Sequence, residues 1–122
     1  MPGINLNTVS LLFFVMVRKP SPKVFISDEL AKCLSKLGPE HKICKLISDM
    51  KEVFKENMFA GELIKKSQIP KQYIDKYNVN NLYRYSHPEG FRSCYTILNG
   101  CPYILDIMSH PEYDNVFGYK IT

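Results

Sequence analysis

The segment Asn81-Leu-Tyr-Arg-Tyr-Ser-His-Pro-Glu-Gly-Phe-Arg-Ser-Cys-Tyr-Thr-Ile-Leu-Asn-Gly-Cys-Pro-Tyr-Ile-Leu-Asp-Ile-Met-Ser109 decides the fold of this chain. It contains three runs rich in β-branched and aromatic residues, at 82–86, 91–98 and 103–109. Turn sequences separate the runs, and the Asn-Gly pair at 99–100 is a strong hairpin signal. The segment therefore predicts three antiparallel strands in a meander.

The region before this meander has helical character. Residues 23–27 predict a short strand, after which Ser27 or Asp28 can cap a helix with apolar residues at helical spacing. Gly38-Pro39 ends that helix, and a second one begins near Glu40 with an apolar stripe and lysines on its other faces. These two helices are expected to form an antiparallel hairpin.

The order of elements predicts an α+β domain. A small third helix is expected at 70–77, with Asn78 as its stop, and the segment 110–119 is expected to form a polar and aromatic tail. The resulting architecture is an antiparallel sheet of about four strands with the helical hairpin packed on one face. The other face is expected to stay open and to offer a concave surface for a ligand.

The chain has 122 residues, which is the size of one domain with a single core. We assign residues 23–122 to that domain and residues 1–22 to an N-terminal arm. The apolar run at 9–17 is too short to span a bilayer as a helix, and its positive charge follows it, which is the reverse of a signal peptide. The arm is an extra edge strand, a docking arm, or sequence upstream of a true start at Met16, and we favour the first or the last.

The charges are distributed unevenly. Residues 18–76 carry 13 Lys and Arg against 8 Asp and Glu, whereas residues 77–122 carry 3 against 4. Two of the chain's three arginines, Arg84 and Arg92, therefore stand in a half that is poor in positive charge. The 4 cysteines are too few for a disulfide scaffold, which favours a reducing, cytoplasmic location.

Arg84 and Arg92 come from adjacent predicted strands, and the register between these strands decides whether they meet. Pairing Ser86 with Phe91 would put the two arginines on opposite faces, whereas a bulge in the turn would bring them together. Converging guanidinium groups would form a fork for phosphate oxygens. The alternative is that each arginine pairs with a surface carboxylate, from among Glu89, Asp106 and Glu112.

His110 follows the last predicted strand and lies close in sequence to Glu112 and Tyr113. An imidazole in such surroundings can exchange protons near neutral pH, although a histidine at a strand end is more often a solvated or capping residue. His87 in a turn and His41 at a helix start are expected to be exposed.

For several basic and aromatic residues, RNA binding is the second interpretation, after a purely structural role. The best basic cluster consists of Lys65, Lys66, Lys71 and Lys76, and a solvated helix face is the default for it. The aromatic platforms would be Tyr83, Tyr85, Tyr95 and Tyr103, most of which must be core. The cysteines show no paired C-x-x-C spacing, so a zinc site is not expected, and glycine-rich phosphate loops and common hydrolase motifs are absent from the sequence.

The C-terminal half resembles the RelE/ParE toxin superfamily of toxin–antitoxin systems, and is nearest to archaeal RelE-like members. The resemblance is carried by the segments 81–86, 90–97, 104–110, 112–114 and 117–119. It implies a toxin that cleaves mRNA in the ribosomal A site without a metal or other cofactor and is neutralised by a protein antitoxin. It also implies that cationic side chains activate a ribose 2′-hydroxyl and stabilise the charge that develops at phosphorus.

The resemblance assigns roles to residues of this chain. Catalytic roles fall on Arg92, Arg84, His110 and Tyr113. The resemblance adds Tyr119 as an RNA-binding candidate, beside Lys65, Lys66 and Tyr85 from the basic cluster and the aromatic residues described above. The chain departs from the family by its low charge after residue 77 and by an insertion at 58–81. A second hypothesis is therefore an inactive member that binds an antitoxin or DNA gyrase, a third is a small RNA-binding protein, and the question of a homodimer stays open.

Overall fold

The computed structural model describes residues 19–21 and 23–118, and within them it has the α+β composition that the sequence predicts. The strands are β1 Phe25–Ile26, β2 Glu62–Leu63, β3 Tyr83–Ser86, β4 Arg92–Leu98 and β5 Cys101–Ile104. The helices are α1 Asp28–Leu37, α2 Lys42–Glu56, α3 Lys71–Tyr77 and α4 His110–Phe117. Short 3₁₀ turns lie at Lys66–Gln68 and Pro88–Gly90.

The strands form one mixed sheet in the order β1-β5-β4-β3-β2. The predicted meander of β3, β4 and β5 is confirmed, and the turn at 99–100 has positive φ at both Asn99 (53°) and Gly100 (76°). The expectation of about four strands, all antiparallel, is wrong in two respects. β2 adds a fifth strand, which is too short to show a pattern in the sequence. β1 pairs with β5 in the parallel direction, although these two strands lie far apart in the sequence.

The predicted helical hairpin packs on one face of the sheet. The Ser27 side chain caps α1 by accepting a hydrogen bond from the Leu30 amide, and Gly38, with φ of 88°, ends that helix. Both helices contribute apolar side chains to a core that also contains residues of β4 and β5. Its buried members are Leu30, Ile47, Met50, Phe54, Tyr95 and Ile104.

The second face of the sheet is covered in part, which limits the open concave surface that we expected to one end of this face. Helices α3 and α4 lie over it and share a second buried cluster with the sheet. The buried members of this cluster are Ile64, Tyr73, Leu82, Cys94, Leu105 and Tyr113. Helices therefore lie on both sides of the sheet, and near the β4–β5 turn the second face stays open as a groove lined by Thr96, Leu98 and Tyr103 of the sheet and by Lys76 and Tyr77 of α3.

Helix α4 replaces the polar tail that we expected after residue 109. Its start is a reciprocal capping box, in which the Ser109 hydroxyl accepts from the Glu112 amide and the Glu112 carboxylate accepts from the Ser109 amide. Pro111 in the first turn and Gly118 in the left-handed conformation complete the signals for a short helix. The Ser-x-x-Glu spacing of this box is readable in the sequence.

A half-buried carboxylate connects α3 to the sheet. Asp106 accepts a hydrogen bond from the Tyr73 hydroxyl at 2.5 Å and another from the Cys94 amide at 2.9 Å. Burial raises the pKa of the Asp106 carboxyl, and the two donors oppose that rise. This arrangement holds the short helix α3 in place over β4.

The described end of the N-terminal arm packs beside the end of α2. The Ser21 amide donates to the Phe54 carbonyl at 3.1 Å, and the Met58 amide donates to the Lys19 carbonyl at 2.6 Å. The predictions about the apolar run at 9–17 and about the start at Met16 lie outside the described residues. In the part of the chain that the structure describes, no helix combines the length and apolar character needed to cross a bilayer.

We expect Gly61→Ala to destabilise the protein. A Cβ atom at this position would lie 2.5 Å from the Arg84 carbonyl oxygen and 2.7 Å from the ring of Tyr95, which is fully buried. Overpacking of this kind costs about 1–3 kcal/mol of unfolding free energy. Urea denaturation of the purified variant measures the loss, and a midpoint equal to that of the wild type would contradict the packing described for Tyr95.

Candidate functional site at the end of strand β4

The register of β3 and β4 places Arg84 and Arg92 on the same face of the sheet. Ser86 is opposite Arg92, and Arg84 is opposite Cys94. Directly opposed residues and alternate residues along a strand share a face, so the two arginines are diagonal neighbours on the face covered by α4. This is the second of the two registers considered from the sequence.

The connection between these strands sets the register. The His87 amide donates to the Phe91 carbonyl at 2.8 Å, so five residues, 87–91, link the strands. Glu89 and Gly90 both have positive φ, 63° and 83°, which lets the chain reverse within this short distance. The strands therefore pair one residue later than simple alternation predicts.

The guanidinium group of Arg84 is engaged by side chains of the same protein. Its guanidinium group is paired with the Glu62 carboxylate from β2 and lies 5.8 Å from the centre of the Tyr113 ring. One of its terminal nitrogens is also 3.5 Å from the Tyr113 hydroxyl. Arg84 therefore links β2, β3 and α4, and its charge is largely neutralised at this position.

Arg92 is placed differently. It is half-buried at the first position of β4, and its guanidinium donates to the Phe91 carbonyl at 3.2 Å. Within residues 19–21 and 23–118, no carboxylate forms an ion pair with it. The backbone of Arg92 is fixed by two hydrogen bonds with Met108, at 2.8 and 2.7 Å. The structure thus holds a guanidinium group at the end of the strand with donors left for an anion.

His110 lies at the same end of the sheet. It follows Met108, the partner of Arg92, by two residues. On the other strand, Gly90 precedes Arg92 by two residues, and a Cβ atom added to Gly90 would be 3.7 Å from the His110 Cβ. The imidazole is exposed, and its Nδ1 is 3.3 Å from the Asp114 carboxylate one helical turn on. The fold therefore brings Arg92 and His110 to one rim, where solvent reaches both.

Tyr113 is one of the most buried residues of the second cluster, with 2% of its surface exposed. Its ring stacks on Phe117 with 4.3 Å between centroids and packs against Arg84. In this position the ring supports α4 and Arg84 from inside. It is not available to an RNA base at the surface.

The residues predicted to bind RNA do not gather around Arg92. Lys65 and Lys66 are exposed just after β2, at the edge of the sheet. Tyr85 is half-buried on the α1–α2 side, where its ring contacts Phe54 at 5.7 Å between centroids. Tyr119 lies outside the described residues. The site at the end of β4 therefore rests on Arg92 and His110.

The structure adds a lysine that the sequence did not single out. Lys42, at the start of α2, has its Nζ 5.4 Å from the centre of the Phe91 ring and 3.7 Å from the Glu89 carboxylate. These contacts bring a further cation to the β3–β4 connection. Only the tertiary packing of the hairpin on the sheet creates this proximity, so no local sequence signal could have found it.

His87 is buried, and the expectation that it would be exposed is wrong. Only 6% of its surface is accessible, because the connection folds inward and places its Nε2 2.7 Å from the Ser93 hydroxyl. Burial, together with the positive charge of Arg92, lowers the His87 pKa to about 4. His87 is therefore neutral at physiological pH and serves as a polar core residue beneath the site.

We expect His87 to make the protein acid-sensitive. Its pKa in the folded state lies below the ordinary value of 6.5, so its contribution to stability is complete above about pH 6.5 and is lost as the pH falls toward 4. That loss amounts to about 3 kcal/mol. Urea denaturation between pH 7 and pH 4 should show a smaller decline for His87→Gln than for the wild type. Equal declines would contradict the burial of a neutral imidazole.

Among the described residues, no group of histidine, cysteine and carboxylate side chains is arranged to hold a metal ion. All four cysteines are free thiols.

Comparison of the chain with protein-family models, with curated proteins and with solved structures finds no match to any of them. The function of the protein therefore has to be inferred from the chemistry of the site at the end of β4.

Proposed function

We propose that this protein is a RelE-like toxin that cleaves mRNA on the ribosome and is held inactive by an antitoxin. The observation that carries the proposal is the guanidinium group of Arg92, which has no carboxylate partner in the described chain and lies at one rim with His110. The order of a strand, a helical hairpin and a meander is the part of the predicted RelE-like architecture that supports the proposal.

The reaction that suits this pair is attack of a ribose 2′-oxygen on the adjacent phosphorus. The bond between phosphorus and the 2′-oxygen forms as the bond to the 5′-oxygen breaks, which leaves a 2′,3′-cyclic phosphate and a 5′-hydroxyl end. His110 takes the proton of the 2′-hydroxyl, and water supplies the proton that the departing 5′-oxygen needs. Arg92 donates hydrogen bonds to the non-bridging oxygens, where negative charge increases in the transition state.

The other arginine has a supporting role in this proposal. Because Arg84 is paired with Glu62 and packed on Tyr113, it fixes α4 against the sheet and so supports the position of His110. Lys42 packs over Phe91 and is paired with Glu89, so it supports the position of the β3–β4 connection. The ribosome provides the remaining contacts to mRNA, so a small site on the toxin is sufficient.

Controlled expression of the gene tests the proposal. We expect growth arrest, with mRNA ends that map inside codons and that are absent without induction. Coexpression of a short protein encoded beside the toxin gene should relieve the arrest, because it would be the antitoxin. Growth arrest with intact mRNA would contradict the nuclease assignment.

The second candidate is a member of the same superfamily that acts by binding a protein, without cleaving RNA. The neutralisation of Arg84 by Glu62 favours it, because only one of the two arginines is then left for phosphate. In that case the arrest would persist in Arg92→Ala and no new mRNA ends would appear. The same induction experiment therefore separates the two candidates.

A further inference from the structure

We propose that Asp114 is a positioning residue that fixes the tautomer of His110 and directs its Nε2 toward the substrate. This inference rests on the proposed function for its catalytic consequence, whereas the tautomer can be measured without any RNA. Asp114 follows His110 by four residues, so the two side chains lie on the same face of α4.

The geometry of the pair supports this assignment. The Asp114 carboxylate oxygen Oδ2 is 3.3 Å from His110 Nδ1. The side chain of Asp114 is 24% exposed, whereas that of His110 is 53% exposed. The carboxylate, which is the less exposed of the two groups, therefore lies beside Nδ1, and Nε2 is the ring nitrogen on the other side of the imidazole.

A neutral imidazole carries its proton on one nitrogen and a lone pair on the other. A carboxylate accepts hydrogen bonds but cannot donate one when ionised, so it selects the tautomer with the proton on Nδ1. The lone pair is then on Nε2, the nitrogen that faces away from Asp114. This is the nitrogen required to take a proton from the ribose 2′-hydroxyl.

Other carboxylates near the start of α4 are engaged elsewhere. Glu112 accepts from the Ser109 amide as part of the capping box, and Glu89 is paired with Lys42. The capping box begins the helix without help from Asp114, so α4 is expected to form when Asp114 is replaced. The role of Asp114 can therefore be tested apart from the folding of the helix.

The first arm of the test measures the tautomer by nitrogen NMR of the imidazole at a pH where it is neutral. The chain has only 3 histidines, so His110→Gln assigns the signals. We expect a protonated Nδ1 in the wild type and in Asp114→Glu. In Asp114→Ala no acceptor is left beside Nδ1, so the proton should move to Nε2. A wild-type imidazole protonated on Nε2, or an unchanged tautomer in Asp114→Ala, would overturn the inference.

The second arm measures cleavage of ribosome-bound mRNA. We expect Asp114→Ala to lower kcat by about 10- to 100-fold with little change in KM, and Asp114→Glu to recover most of the loss. The matched control is Asp75→Ala, which removes an exposed carboxylate from α3 and should leave the rate unchanged.

The two arms distinguish failure of this inference from failure of the proposed function. A tautomer that changes in Asp114→Ala without loss of rate would show that positioning of His110 is not used in the reaction, and the inference would fall. A wild-type protein that leaves mRNA intact would overturn the proposed function, while the NMR result would still decide whether Asp114 sets the tautomer.

Discussion

Replacement of Arg92 with alanine is expected to lower the rate of mRNA cleavage by about 100- to 1,000-fold. Removal of one well-placed donor to a developing negative charge has an effect of this size in other enzymes. Arg92 has the required placement, because its backbone is fixed to Met108 and no carboxylate in the described chain neutralises it. Single-turnover cleavage on programmed ribosomes measures the rate directly.

Two further variants serve as the comparison and the control for Arg92→Ala. Arg92→Lys keeps the charge but loses the planar pair of donors, so we expect it to recover only part of the rate. Lys36→Ala removes one positive charge from an exposed position at the end of α1 and should cleave at the wild-type rate. Arg92→Ala with a rate like that of Lys36→Ala would show that this arginine takes no part in the reaction.

Phe54→Ala is expected to destabilise the fold by about 3–5 kcal/mol, the usual cost of removing a buried aromatic ring. Phe54 is completely buried and connects α2 to the sheet, with its ring centre 4.4 Å from that of Tyr95 and 5.7 Å from that of Tyr85. A loss of this size is a large part of the stability of a domain this small. Urea denaturation measures it.

The adjacent residue provides the control for this prediction. Val53 is in the same helix and is 37% exposed, so Val53→Ala should change the unfolding free energy by less than about 0.5 kcal/mol. Similar losses in the two variants would mean that the face of α2 directed at the sheet has been assigned incorrectly.

The local sequence was sufficient to predict the elements that have strong signals. The hairpin of α1 and α2 has caps at Ser27 and Gly38 and an apolar stripe, and the β4–β5 turn has an Asn-Gly pair. Asn78, in the left-handed conformation, ends α3 as expected. Each of these features is fixed by residues that are near one another in the chain.

The errors concern features that depend on distant contacts or on very short elements. β2 has two residues and lies within the insertion at 58–81. Its pairing with β3 is stabilised by the ion pair between Glu62 and Arg84. The burial of His87 depends on how the β3–β4 connection packs against Ser93. The helix α4 is a different case, because its capping box was present in the sequence and the polar composition of the segment concealed it.

The candidate site was predicted in part. Arg92 and His110 were named from the sequence, and the fold brings both to one rim because Met108 pairs with the start of β4. The partnership of Arg84 with Glu62, the burial of Tyr113 and the arrival of Lys42 all depend on tertiary packing. Local patterns contain no information about such contacts.

The most direct test of the central claim is a cleavage assay with purified protein, ribosomes and end-labelled mRNA, followed by chemical analysis of the new ends. We expect cuts in the A-site codon that leave a 2′,3′-cyclic phosphate or its 3′-phosphate hydrolysis product together with a 5′-hydroxyl, and the cuts should be lost in Arg92→Ala and in His110→Gln. Intact mRNA in the presence of the folded wild-type protein, or equal cleavage by these variants, would contradict the account.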